Sequence, residues 1–336
     1  MKKSLLALAV LGAFAGAASA QSSLTVFGIV DLSVNSVKNG SITQKSMGSN
    51  QLNSNRLGFR GTEDLGGGMS AGFWIEGGMS NDDGTPGGLN FQRRSTVSLL
   101  GSFGEVRLGR DYTNTFTNVA SFDAYGANGF GNFSNIYAST PAGLGSGATT
   151  AVRANNMVGY FTPGNLGGLY GSAQIAAGEG TKGNKYTGFR LGYAAGPVDV
   201  AVAMSQTDLG TADKYKVFNV GASYNLGVAK LLAQYDQRKY GALKYTSYQF
   251  STSVPLGQGE FRASYAKGNA EGGTTSANDA SLLGFEYIYN LSKRTALYTQ
   301  YGRLSNKGAS AIALGGVSTG SGFTSTGYGA GVRHIF

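Results

Sequence analysis

Cysteine is absent from this 336-residue sequence, and histidine occurs once, at His334, two residues from the C-terminus. Without cysteine there is no disulfide framework and no thiolate, and one histidine cannot supply the His and Cys ligands that hold zinc. The pairing of a nucleophile with a base, on which hydrolases depend, is equally hard to assemble. We therefore predict no catalytic residue, no cofactor and no metal site.

Long apolar runs are also missing, except near the N-terminus. A basic start at residues 1–3 precedes an apolar stretch at 5–18, and small residues follow as far as Ala20. This order is typical of a secretory signal peptide over residues 1–20, which leaves 21–336 as the mature chain. No later run approaches the ~18 apolar residues that a membrane helix needs. An exported protein of this kind would enter a membrane only as a β-barrel.

Charged residues are few, at 13% of the chain, with a net charge of +9. Removing the two lysines of the predicted signal peptide leaves 25 basic and 18 acidic residues, a net charge of +7. The basic residues are spread along the chain rather than clustered, which argues against a nucleic-acid partner. The sequence is instead rich in glycine (55) and in Tyr plus Phe (37), with five prolines. This composition favours an all-β chain of many short strands and turns.

Apolar and polar residues alternate along most of the mature chain. Between Gly227 and Tyr240, for example, Leu231 and Tyr235 fall on one face and Asp236 falls on the other. We count sixteen such segments, joined alternately by short turns and by longer polar loops such as 38–51, 81–90, 269–279 and 306–322. An even number of two-faced strands with this layout predicts a 16-stranded antiparallel transmembrane β-barrel of one domain.

A soluble β-sandwich would alternate as well, but two sheets rarely supply partners for so much apolar surface. The final segment also favours the barrel, since Tyr328, Val332 and the terminal Phe336 share one face. We interpret Phe336 as the assembly signal of an outer-membrane protein.

The stretch from Asp111 to Thr150 differs from the rest. It contains no Lys or Arg and carries two charges, Asp111 and Asp123. A loop of this length inside a compact domain is usually functional. Arg110 precedes the stretch and Arg153 follows it, both in predicted strands. Our hypothesis is that the loop folds into the barrel and narrows it, with acid on the loop facing base on the wall.

Five motifs make the mature chain resemble the Gram-negative trimeric porins, in particular the anion-selective porins of β-proteobacteria. They are LTVFGIVD at 24–31, NRLGFRGTEDLGGG at 55–68, FGEVRLGR at 103–110, RANNMVGY at 153–160 and GVRHIF at 331–336. The resemblance implies a homotrimer in the outer membrane, in contact with lipid and lipopolysaccharide. It also implies a third extracellular loop, here 113–150, folded into the lumen.

The same resemblance assigns the residues of the pore constriction. Arg56 and Arg153 match two arginines of the porin wall, and the third falls on Arg93 or Arg94, between which the sequence does not decide. Asp123 matches the acid of the loop. Arg60 and Arg110, one step further along matching strands, are expected on the same wall. The Pro-Glu-Phe-Gly segment of cation-preferring porins, which supplies a second loop carboxylate, has no counterpart here.

Alternation supports part of this assignment independently, because Arg56 and Arg60 share the face that Leu57 and Phe59 avoid. An arginine at the bilayer midplane costs about 2–4 kcal/mol on a barrel exterior, which favours the lumen. In the competing interpretation, some of these arginines are rim or turn residues that pair with headgroups or nearby carboxylates.

These features predict a passive diffusion channel for small hydrophilic solutes and ions, with a preference for anions. A porin selective for a sugar, a phosphate or a dicarboxylate is the first alternative, since arginines suit both. An adhesin or structural barrel is the second alternative, although the predicted outer loops are short for adhesion.

Overall fold

The computed structural model describes residues 23–84, 90–137, 150–180, 185–272, 277–316 and 320–336. The predicted signal peptide, residues 1–20, lies outside these ranges, as does the part of the predicted loop at 138–149. Seventeen strands and two short helices are described. The strands are β1 Ser23–Asn39, β2 Ile42–Ser49, β3 Arg56–Gly66, β4 Met69–Gly78, β5 Arg94–Gly101, β6 Gly104–Tyr112, β7 Arg153–Phe161, β8 Leu169–Ala176, β9 Lys185–Ala195, β10 Val198–Asp208, β11 Lys214–Asn225, β12 Lys230–Tyr240, β13 Leu243–Leu256, β14 Gly259–Glu271, β15 Ala280–Asn290, β16 Thr295–Asn306 and β17 Thr324–Ile335.

All of these strands belong to one antiparallel sheet that closes on itself. From β3 onward each strand pairs with its neighbours in sequence, and β1 pairs with β17 from Ile29 opposite Ile335 to Asn39 opposite Ser325. β2 pairs with the second half of β1 and β3 with its first half, so these two segments occupy one position in the barrel. The described chain therefore forms a closed barrel of sixteen strand positions, which confirms the predicted fold class.

The prediction of a polar loop at 38–51 was wrong. Residues Ile42–Ser49 form β2, joined to β1 by a tight turn in which Gly40 has a φ of 56°. β2 reads ITQKSMGS, and most of its side chains are exposed on both faces. Because this strand is held by backbone pairing rather than by a buried apolar face, the alternation used to find strands is weak there.

Side chains alternate between two environments along the strands. In β11, Phe218 and Val220 are exposed, whereas Val217 and Asn219 between them are buried. The same pattern recurs around the barrel and defines an apolar face, which carries the exposed large hydrophobic residues, and a polar face on the other side of the sheet. This division is expected where one face of a barrel meets lipid and the other meets water.

Part of the polar face is covered by residues 113–137, which leave β6 and include α1 (Asn114–Ser121) and α2 (Ser134–Tyr137). Asn118 Nδ2 donates to Asn219 Oδ1 at 2.9 Å, and Phe130 N donates to Gln300 Oε1 at 2.9 Å. The segment thus crosses the sheet from β11 to β16. Among the described residues, neither helix has the length and apolar character to span a bilayer.

The main hydrophobic core lies where this segment meets the strands. Phe133, Ile136 and Tyr137 are almost fully buried and pack in one cluster with Tyr215 and Tyr245. The core is therefore off-centre, between the covering segment and one side of the barrel.

The chain end closes the sheet at the edge where β1 begins. Gly28 N donates to Phe336 O at 2.9 Å, and Phe336 N donates to Gly28 O at 3.0 Å. The Phe336 ring lies over Gly28, so closely that a Cβ on this glycine would stand 2.2 Å from Phe336 Cζ. Glycine at position 28 therefore makes room for the terminal aromatic ring.

We expect Gly28→Ala to displace the Phe336 ring and to destabilise the barrel by about 1–3 kcal/mol, the usual cost of overpacking. The urea midpoint of unfolding and the yield of barrel that resists unfolding by detergent at room temperature measure the effect. Gly72→Ala is the matched control, because a Cβ there would meet its nearest neighbour at an ordinary 3.4 Å. Equal losses in the two variants would contradict the proposed packing role of Phe336.

Candidate functional site

A shared carboxylate lies at the centre of the predicted arginine wall. Glu76, on β4, is 2.6 Å from Arg93 Nε and 3.5 Å from Arg56 Nη1, measured at its Oε1 atom. Its Oε2 atom accepts a hydrogen bond of 3.2 Å from Trp74 Nε1. Because strand residues two apart share a face, β4 presents Trp74 and Glu76 together on the polar face. Glu76 was not among the residues predicted for the site.

An aromatic ring extends this arrangement. Arg93 Nη2 donates to Tyr112 Oη at 3.2 Å, and the Arg153 guanidinium carbon lies 4.3 Å from the centre of the Tyr112 ring. We refer to Arg56, Glu76, Arg93, Tyr112 and Arg153 as the Glu76 group. It unites the three arginines that the sequence assigned to the wall, from β3, from the approach to β5 and from β7.

A second set of arginines lies beside the first. Arg107 Nη1 is 2.6 Å from Asp111 Oδ2 and Arg107 Nε is 2.8 Å from Glu105 Oε1, while Arg94 Nε is 3.4 Å from Asp111 Oδ2. The guanidinium carbons of Arg94 and Arg60 lie 4.6 Å and 5.1 Å from the centre of the Trp74 ring. We call this set the Trp74 group; it consists of Arg60, Trp74, Arg94, Glu105, Arg107 and Asp111.

The sequence left open whether Arg93 or Arg94 is the third arginine of the wall, and in the structure the two take different positions. Arg94 is the cross-strand partner of Glu76 and faces the same side of the sheet, but its guanidinium turns toward Trp74 and Asp111. Arg93 precedes β5 and reaches Glu76 directly. Each residue belongs to one of the two groups.

Arg110 lies apart from the acids. Arg110 is the cross-strand partner of Ser95, whereas Arg107 is the partner of Ser98, so the two arginines face opposite sides of the sheet. Its guanidinium donates to Gln92 O and to Asn155 Oδ1. Arg110 thus flanks the Glu76 group rather than joining its hydrogen bonds.

The expectation that Asp123 faces the wall arginines is corrected by its hydrogen bonds. The carboxylate accepts backbone N–H groups of Tyr125, Ala127 and Phe133 at 3.1, 3.2 and 3.1 Å, all within the covering segment. Burial raises the pKa of this carboxyl above its ordinary value, while the three backbone donors oppose the shift. Asp123 therefore organises the fold of the segment, and the acids near the arginines come from the wall itself.

The charges of the two groups do not balance. Together they hold six arginines and three carboxylates, those of Glu76, Glu105 and Asp111. Strand alternation indicates that Asp111 shares a face of β6 with Arg107, but no predicted wall residue lies on β4 to point to Glu76. An excess of three positive charges remains on this part of the polar face.

The surface opposite carries almost no charge. Within 113–137 the only Asp, Glu, Lys or Arg is the buried Asp123. A cavity of about 820 Å³ separates the two surfaces, with Gln92 and Arg93 on one side and Ala127, Asn128 and Gly129 on the other. Arg93 thus places a positive charge on one side of the cavity, and the residues on the other side are neutral.

Comparison with known proteins identifies the family. A family model described as Gram-negative porin matches residues 7–309. The chain belongs to the Gram-negative porin family. The porin is 42% identical to outer membrane porin protein 32 of Delftia acidovorans, with 100% of both chains covered. It is 31% identical to an outer membrane porin protein of Bordetella pertussis, again over the whole of both chains.

Solved structures agree with this assignment. The porin superposes on the anion-selective porin from Comamonas acidovorans with a TM-score of 0.86 and 38% identity, covering 94% of this chain and 100% of that one. OmpT of Vibrio cholerae, in a trimer form, matches with a TM-score of 0.69 at 15% identity over 94% and 99%, a likeness of fold alone. The porin is therefore a passive channel of the outer membrane, and its barrel is transmembrane.

We expect Glu76→Gln to make the porin more selective for anions, because the Glu76 group then gains one net positive charge. The variant should also lose about 1–3 kcal/mol of stability, since two guanidiniums lose a charged partner. The reversal potential in a planar bilayer under a salt gradient measures the selectivity, and denaturant unfolding measures the stability. Glu63→Gln, at an exposed position on β3, is the control. An unchanged reversal potential in Glu76→Gln would show that this carboxylate does not act on permeating ions.

We expect Asp123→Ala to loosen the covering segment, because three backbone N–H groups lose their acceptor at a cost of about 1–3 kcal/mol. Amide hydrogen exchange should become faster in peptides that contain Tyr125, Ala127 and Phe133. Asp64→Ala removes a comparable backbone acceptor, that of Gly66 N, from an exposed turn and serves as the control. Unchanged protection in the Asp123 variant would contradict the role assigned to this carboxylate.

Proposed function

We propose that this porin conducts small hydrophilic solutes and ions with a preference for anions, through a lumen that segment 113–150 narrows. The polar face of the sheet is then the inner wall of the barrel. Two observations support the position of the segment. Asn118 and Phe130 hydrogen-bond to Asn219 and Gln300 on the polar face. Phe133, Ile136 and Tyr137 are buried in a cluster with residues of the strands.

One observation carries the anion preference: Arg153 is held by an aromatic ring rather than by an acid. Within the described part of the chain it forms no ion pair, whereas Arg56 and Arg93 share Glu76. A guanidinium stays protonated at any working pH, so its charge persists in the gap. Since the facing segment offers no charged group of its own, the field across the gap favours anions over cations.

The relatives support this proposal. The Comamonas acidovorans structure, similar over its whole length, is described as an anion-selective porin. We extend the proposal to a homotrimer embedded in outer-membrane lipid and lipopolysaccharide through the apolar face.

We expect Arg153→Gln to lower the anion-to-cation permeability ratio about two- to threefold, because it removes an uncompensated charge beside the narrow gap. Reversal potentials in potassium chloride gradients provide the measurement. Arg303→Gln is the matched control, since Arg303 is exposed on β16 in step with Leu297 on the apolar face.

A preference of the native porin for cations would overturn the proposal, and an equal response of the two variants would remove Arg153 from it. Flux measured by liposome swelling distinguishes the substrate-selective alternative, because a dedicated site for a sugar, phosphate or dicarboxylate gives saturable entry of that solute.

A further inference from the structure

Arg60 differs from the other arginines of the Trp74 group. Within the described residues it forms no ion pair and its guanidinium donates no hydrogen bond, whereas Arg94 and Arg107 are both paired with carboxylates. Its guanidinium carbon lies 5.1 Å from the centre of the Trp74 ring and 5.4 Å from that of Phe27. These two rings meet edge to face, with centres 5.0 Å apart.

An aromatic support has a different consequence from a carboxylate support. The negative face of a ring attracts a guanidinium and fixes its position, but the ring carries no net charge. A carboxylate fixes the position and also cancels the charge. Arg60 is therefore positioned by Phe27 and Trp74 while its positive charge and its five N–H donors stay available.

Arg60 is exposed and lies at the edge of an open-sided hollow in the wall. Arg60, Trp74, Arg94, Glu105 and Arg107 line one space of about 380 Å³. Three guanidiniums and the carboxylates of Glu105 and Asp111 leave this group with one net positive charge. Such a space fits one small anion with a single negative charge, and a carboxylate matches the planar fork of a guanidinium best.

We propose that Arg60, Arg94 and Trp74 form a second anion-binding site on the wall, which takes a small carboxylate and acts in series with the Glu76 group. This inference rests on the proposed function, because it requires that the polar face lines the ion pathway. Two weak sites in series let an arriving anion displace one already bound, so that selectivity does not slow release. Trp74 joins the two sites, since it contacts both guanidiniums of the second and donates to Glu76 in the first.

The sequence supplies its own reporter for this site. Trp74 is the single tryptophan of the chain, so tryptophan fluorescence of the purified porin reports on this position alone. Iodide is an anion that quenches tryptophan, caesium is a cation that does so, and acrylamide is a neutral quencher. The ratio of iodide to caesium quenching therefore measures the local enrichment of anions beside the ring.

In the intact porin in detergent, we expect iodide to quench Trp74 several-fold more strongly than caesium. Arg60→Gln should lower iodide quenching about threefold, because the uncompensated charge is lost, and should leave acrylamide quenching unchanged. Arg153→Gln is the matched variant from the other site; it should leave the iodide quenching of Trp74 within error of the native value.

Acetate tests the class of ligand. Replacing chloride by acetate at constant ionic strength should change the Trp74 emission in a saturable way in the native porin and not in Arg60→Gln. Arg60→Lys should keep the iodide enrichment and lose the saturable acetate response, because an ammonium has the charge but not the planar fork. Resistance to unfolding by detergent at room temperature confirms that each variant is folded.

Equal quenching by iodide and caesium in the native porin would overturn the second site. If the reversal potential still showed anion preference, the proposed function would stand without it; if that preference were absent too, both would fail. Loss of iodide quenching in Arg153→Gln as strong as in Arg60→Gln would also overturn the inference, because the two groups would then act as one site.

Discussion

Closure of the sheet is the constraint on which the rest of this structure depends. Once β1 pairs with β17, the sheet closes on itself, and among the described strands only β2, which pairs with β1 alone, has a single neighbour. Each side chain is then committed to one face by its place in the pleat. Arg56 and Arg60 lie on β3 and Arg94 on β5, yet all three share the face of Glu76 on the intervening β4, because the registers fix them there.

The wall that results is not a uniform row of positive charges. Acids contact some arginines, as Glu76 contacts Arg56 and Arg93, and each carboxylate offsets one positive charge. Rings hold others, as Tyr112 holds Arg153 and Trp74 holds Arg60. Both the carboxylate and the aromatic ring fix the position of a long side chain, but only the ring leaves the full positive charge of its arginine uncompensated. The electrostatic character of the wall thus follows from which support each arginine has.

The covering segment complements the positive wall because the exposed surface of residues 113–137 is neutral. The Asp123 carboxylate accepts hydrogen bonds from three backbone N–H groups of the segment itself. Ala127, Asn128 and Gly129, which line the cavity, carry small or amide side chains. An acid turned outward would offset the arginines across the gap, whereas an acid turned inward stabilises the fold of the segment. We infer that the same residue keeps the segment ordered and its exposed surface neutral.

The sequence by itself determined the closed barrel, its strand count, the family, and the face on which Arg56 and Arg60 lie. These features follow from local alternation and from contiguous motifs, both of which can be recognised in the sequence. The tertiary structure alone decided that β2 is a strand and that Arg93 and Arg94 join different groups. It also decided that Glu76 is shared and that Asp123 turns inward. The physical reason is that these features depend on backbone donors and on cross-strand neighbours distant in sequence, neither of which produces a periodic pattern in the chain.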